Sequence, residues 1–170
     1  MRIELTIPGR PVVLKNSKQL IIVNGRRIIK SSPAAEAYQH KAIAEVCRIW
    51  GNRAPITSPV NAAIRSYGAW KRTAGNLPDA GNLYQMPEDI LETAGVLEND
   101  RQIESHDGSA RVCLCDTCER RPLYKAGPKR GQRKENCGAV KRCPLERVEI
   151  VLTTLEEDLA SGERMREALI

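Results

Sequence analysis

Five of the six cysteines fall between Cys113 and Cys143, and the stretch Arg111–Arg142 carries ten basic residues against three acidic ones. That local balance of +7 exceeds the formal +6 of the whole 170-residue chain, so the remaining residues sum to −1. Apolar residues are too sparse there to build a core, so the segment cannot fold alone. The chain must therefore form a globular unit interrupted by a basic, cysteine-rich insertion. This reading places the core at 1–105 and 146–155, the insertion at 106–145 and a charged tail at 156–170. Hydrophobic residues make up 41% of the chain, sufficient for one core. No apolar run approaches the roughly 18 residues that span a bilayer. The opening MRIELTIPGRP lacks the apolar segment of a secretory signal. The expectation is a cytoplasmic protein with no membrane partner, whose positive charge favours an anionic one.

Residues 3–7 (Ile-Glu-Leu-Thr-Ile) alternate as a half-buried strand should. Residues 20–23 and 26–30 flank Asn24-Gly25, the strongest short hairpin signal. Ser32-Pro33 supplies a helix cap and a proline at the first helical position. Residues 34–50 then place Tyr38, Ala42, Val46 and Ile49 on one stripe at the 3.6-residue period, with Cys47 read as a plain core residue and His40 as surface. A strand over 60–70, a helix from Asp79, a short strand at 101–104 and a closing strand over 146–155 complete the order. The fold expected is α+β: a small mixed sheet with two main helices, in which the insertion occupies a connection between two strands. Trp50 and Trp70 read as core or interface anchors.

The helix from Asp79 has two blemishes, Gly81 and Pro87, and a proline inside a helix costs about 3 kcal/mol, so a kink or a late start at Met86 is allowed for. Gly95 marks its end. On a regular helix Asp79, Asn82, Met86 and Asp89 would share a face, with Asp100 beside them after the loop. Carboxylates this close repel one another, and a divalent cation removes that cost; oxygen-only ligands suit Mg²⁺. Beside a phosphodiester, such an ion activates water and stabilises transition-state charge. The plain alternative is a solvated acidic face, with Asp79 as a helix cap.

The block PDAGNLYQMPEDILETAGVLENDRQI resembles the signature of the RusA-type Holliday-junction resolvases, small Mg²⁺-dependent endodeoxyribonucleases often carried by phages. Asp79, Asn82, Leu83, Asp89, Asp100, Gln102 and Ile103 match that pattern without a gap. More loosely, the resemblance reaches the first strand, Lys15-Asn16-Ser17-Lys18, the helix near Ser32 and the closing strand. It implies a RusA-like α+β fold and cleavage of branched DNA such as a four-way junction. It further implies a homodimer, because two matched cuts need two sites. Carried onto this chain, Asp79, Asp89 and Asp100 are the catalytic residues: Asp79 and Asp100 hold Mg²⁺, Asp89 adds a ligand or orients water, and Asn82 orders the turn. Gly81 stands where the family has a second Asp and Gln85 where it has a Lys, with Glu88 or Glu98 as substitutes for the missing carboxylate. The readings of other classes are a catalytically inactive zinc-containing DNA-binding module and a protein-interaction adaptor.

Within the insertion, Cys115 with Cys118 and Cys137 with Cys143 form two closely spaced pairs, the pattern of a structural, tetrahedral Zn²⁺ site with no open position. Cys113 is a fifth candidate, His106 a distant alternative, and unligated cysteines the other reading. Lys129, Arg130, Arg133 and Lys134, between the pairs, read as phosphate contacts or as a solvated charge run. Tyr124 is a possible base-stacking residue. Lys15, Lys18, Lys71 and Arg72, read as loop residues near the ends of the carboxylate site, are the remaining DNA-binding candidates.

Overall fold

The computed structural model describes residues 1–70, 77–114, 123, 125–132 and 143–155. The fold is α+β, as expected. Strands β1 (Arg2–Pro8), β4 (Val60–Gly68), β5 (Ile103–Ser105), β6 (Ala110–Cys113) and β7 (Arg147–Thr154) make a five-stranded mixed sheet. Strands β2 (Lys18–Val23) and β3 (Arg26–Ser31) make a separate two-stranded one. Helix α1 (Pro33–Trp50) joins the hairpin to β4, and α2 (Gln85–Thr93) lies between β4 and β5.

Strand β4 is central. It pairs antiparallel with β7 along one edge and parallel with β5 and then β6 along the other, while β7 pairs antiparallel with β1. Burial alternates along β7, where Val148, Ile150 and Leu152 are enclosed and Arg147 and Glu149 are not. These side chains, with Leu5, Ile7, Val60, Ala62 and Ile64, meet Ala42, Val46 and Trp50 of α1 and Met86, Ile90 and Leu91 of α2 in one core. The polar face of the sheet is held by Arg147, which bonds Glu149 at 2.7 Å and covers the Tyr67 ring at 3.9 Å.

Local signals in the sequence account for most boundaries. Asn24 and Gly25 both take positive φ (50° and 75°), the conformation a two-residue hairpin turn requires. The Ser32 hydroxyl accepts from the Ala35 amide at 3.3 Å, with Pro33 just inside the helix. Gly95, at φ 70°, ends α2: its N–H bonds Glu92 O, and Val96 N–H bonds Leu91 O, the paired bonds of a Schellman cap.

Four details differ from the sequence reading. No regular helix begins at Asp79: residues Gly81–Leu83 form a 3₁₀ turn, and α2 starts at Gln85. Pro87 then lies in the first helical turn, where amide hydrogens lack intrahelical partners, so it breaks nothing. Cys47 is exposed rather than in the core, because the apolar stripe of α1 runs through Ala35, Ala42, Val46 and Trp50. Lys18 opens β2, and Lys15 belongs to a 3₁₀ turn, so neither is in an irregular loop. Finally, residues 110–113, assigned by sequence to the insertion, form β6 and extend the main sheet. Among the described residues no helix is long and apolar enough to cross a membrane.

Trp70, buried as expected, lies against the chain at Gly68, where an added Cβ would meet the indole ring at Cε2, Cζ2 and Cδ2. Gly68→Ala should therefore force the ring out of its site. The expected result is a lower melting temperature with red-shifted tryptophan emission, as overpacking costs about 1–3 kcal/mol. An unchanged spectrum and melting temperature would contradict this packing.

Candidate active site

The best-formed acidic grouping lies where α2 meets the turn before β5. Asp89 is on α2, and Asp100 opens a 3₁₀ turn, Asp100–Gln102. That turn is fixed by reciprocal capping: Asn99 Oδ1 accepts from Arg101 N–H at 3.0 Å, and Gln102 Oε1 accepts from Asn99 N–H at 2.9 Å. The Gln102 amide also donates to Ile56 O at 2.8 Å, tying the turn to the segment before β4. Two residues of the matching block thus have structural work, Gln102 in this lock and Leu83 in the core.

Burial and neighbouring charge both act on these carboxylates. Partial burial pushes the Asp89 carboxyl above its usual range, and the charges of Asp100 and then Glu92 push it further. Burial likewise raises Glu88, the nearby imidazole of His106 opposes that rise, and Asp100 and Asp89 add to it. Asp79 is not among the charges that raise either group; its carboxylate accepts a bond from Asn82 Nδ2 at 3.2 Å in the turn preceding α2. Met86 is fully buried, so the four residues expected on one helical face are not on one face. Among the described residues, no group of three or more His, Cys, Asp or Glu side chains is arranged to hold a metal ion. Hydrated Mg²⁺ asks for less than such a group, since it takes one or two carboxylates and keeps several waters.

Sequence reasoning gave His106 no role here. Its Nε2 lies 3.1 Å from Glu88 Oε1, its ring stacks on Tyr84 at 5.1 Å, and its Nδ1 lies 3.2 Å from Ala62 O. A carbonyl only accepts, so Nδ1 carries a hydrogen. Nε2 then faces the Glu88 carboxyl, which anchors the ring against α2. The loop beyond His106 is fixed to β4 by Ser109 and by Asn61, whose Oδ1 accepts from Asp107 N–H at 2.8 Å. The signal for this contact is non-local: β4 and the edge strand must pair before His106 meets α2.

A cleft of about 380 Å³ reaches Pro78, the residue before Asp79, and is lined also by Arg10, Val12, Asn16, Ser17 and Trp70, among others. Arg111 of β6 donates to Pro78 O and so fixes the segment leading to Asp79. Glu146, buried, accepts from Ala69 N–H at 3.0 Å and lies 3.8 Å from Arg10 Nε. Lys15 and Lys18, both exposed, flank the Asn16 and Ser17 wall of this cleft.

Of the insertion, Lys129 and Arg130 are exposed in a turn closed by Arg130 N–H to Gly127 O at 3.0 Å. Cys143 is partly buried, and the Cys113 thiol donates to Trp70 O at 3.2 Å. Cys115, Cys118, Cys137, Tyr124, Arg133, Lys134, Lys71 and Arg72 lie outside the described residues. No family model matches the chain, and no curated protein matches it.

The crowding has a thermodynamic consequence. A carboxyl raised in the folded state loses stability as pH climbs through the unfolded value, about 3.9 for Asp, and on past the raised one. Asp89→Asn should therefore melt higher than wild type at pH 7, with the gain vanishing below about pH 4, where both side chains are neutral. Melting curves across pH check this; a variant no more stable at pH 7 than wild type would contradict the repulsion.

Proposed function

We propose that this protein is a Mg²⁺-dependent endonuclease acting on branched DNA, of the RusA type that its sequence resembles. The observation that carries the reading is the Asp89–Asp100 pair, two mutually repelling carboxylates fixed by a purpose-built turn inside the matching block. The Asp89–Asp100 pair is the proposed seat of the ion, and the resemblance adds Asp79 to Asp100 as a ligand, with Asp89 completing the set or orienting water. A bound divalent cation supplies charge stabilisation to the phosphodiester and activates water. The chain itself supplies positioning. Asn82 holds the Asp79 carboxylate, Gln102 holds the Asp100 turn, and Lys15 and Lys18 offer exposed charge to flanking phosphates. Gly81 in place of a carboxylate leaves room for Glu88, already within the field of Asp100 and Asp89, to take that role.

The insertion is proposed to be a zinc clip, Cys115, Cys118, Cys137 and Cys143, presenting Lys129, Arg130, Arg133 and Lys134, with Lys71 and Arg72, to DNA phosphates. A homodimer would supply the two cuts a four-way junction needs.

Asp79→Asn and Asp100→Asn should each abolish Mg²⁺-dependent nicking while leaving junction binding intact or tighter, because each removes a negative charge near phosphate. Cleavage at the wild-type rate in both would rule out the site. Metal analysis of protein purified without chelator should find about one zinc per chain, lost in Cys118→Ser or Cys137→Ser. A metal-free, fully folded preparation would rule out the clip.

A further inference from the structure

Among the described residues, the β2–β3 hairpin pairs with no strand of the main sheet. Its base is closed by Ser32 N–H to Ser17 O at 2.6 Å, and every residue from Lys18 to Lys30 except Ile21 is exposed. Cross-strand register puts Leu20 opposite Ile29 and Ile22 opposite Arg27, so these side chains share one face with Lys18. On that face Leu20, Ile22 and Ile29 are 62%, 70% and 69% exposed. A bare two-stranded ribbon is marginal in water, and a contiguous apolar face marks an interaction site.

The charge pattern selects the occupant. Lys18, Arg26, Arg27 and Lys30 are the hairpin's charged residues, all cationic, with no acid between Lys18 and Ser31. Lys30 alone has a described ion pair, to Glu36 of α1 at 3.2 Å. A second copy laid face to face would set Lys18 and Arg27 against like charges. A polyanion with accessible base faces answers both needs, taking the cations on its phosphates and the aliphatic side chains on unstacked bases. A two-stranded ribbon also has the width to enter a DNA groove.

We propose that the β2–β3 hairpin is a DNA-reading wedge. Its Leu20–Ile22–Ile29 face covers base pairs unstacked at a branch point, while Lys18 and Arg27 on that face, and Arg26 on the opposite one, hold the flanking phosphates. The proposal rests on the branched-DNA reading above. It assigns discrimination between branched and plain duplex to an element remote in sequence from the carboxylates.

The test is equilibrium binding of the full chain to a labelled four-way junction and to a plain duplex of equal length, in Ca²⁺ so that nothing is cut. The triple variant Leu20→Thr, Ile22→Thr, Ile29→Thr keeps strand-forming side chains and buries nothing new. It should lose junction preference over duplex by roughly tenfold or more, because covering an unstacked step is what an apolar wedge contributes. Its duplex affinity and salt dependence should be unchanged. Arg26→Ala with Arg27→Ala should instead reduce the slope of log K against log salt by up to about 1.8 on both DNAs, at about 0.9 per phosphate contact. Sedimentation of both proteins accompanies the titrations. Wild type that binds neither DNA, or binds both equally, overturns this proposal together with the branched-DNA reading. Junction preference in wild type that survives the triple variant overturns the wedge alone. A wild-type dimer that the triple variant dissociates assigns the face to a second copy and overturns the wedge as well.

Discussion

Everything in the main sheet depends on β4. It is flanked by antiparallel β7 on one edge and by parallel β5 and β6 on the other, and its residues Val60, Ala62, Ile64 and Ser66 are wholly enclosed. A strand buried this way fixes the height of whatever pairs with it. Pairing at Val60–Asn61 sets the turn that carries Asp100, Ala62 meets His106, and the Ser66 level brings Arg111 to the segment before Asp79. The candidate site is thus spread along one edge of one strand, with α2 laid beside it.

That arrangement explains a feature that repulsion alone would remove. Asp89, Asp100 and Glu88 are held close although burial and mutual charge raise two of them. The turn at Asn99–Gln102 and the Glu88–His106 contact hold them there against that repulsion. Destabilising groups retained in a fixed geometry are the common mark of a functional site. The proposed cation would convert the repulsion into binding.

Much of this was legible in the sequence, where the deciding physics is local. Asn24-Gly25 encodes a turn, Ser32-Pro33 a helix start, Gly95 a helix stop, and alternation at 147–152 a half-buried strand. What was not legible is decided by tertiary contact. Spacing put Asp79, Asn82, Met86 and Asp89 on one helical face, but the chain takes a 3₁₀ turn first and rotates Met86 into the core. Cys47 follows the same pattern: an apolar residue type left on the exposed side of α1. Residues 110–113 looked like part of an insertion because Ala-Arg-Val-Cys is too short to announce a strand; pairing with β4 makes one. Nor does period alone show that the apolar hairpin would pair with no other strand among the described residues.

The central claim is that this chain cuts branched DNA with the help of a divalent cation, and one measurement addresses it directly. Purified wild-type protein is incubated with a labelled four-way junction, with and without Mg²⁺, and the strands are resolved on a denaturing gel. The account predicts paired, symmetric nicks that require Mg²⁺ and fail in EDTA. A junction bound but left intact at every Mg²⁺ concentration would contradict it.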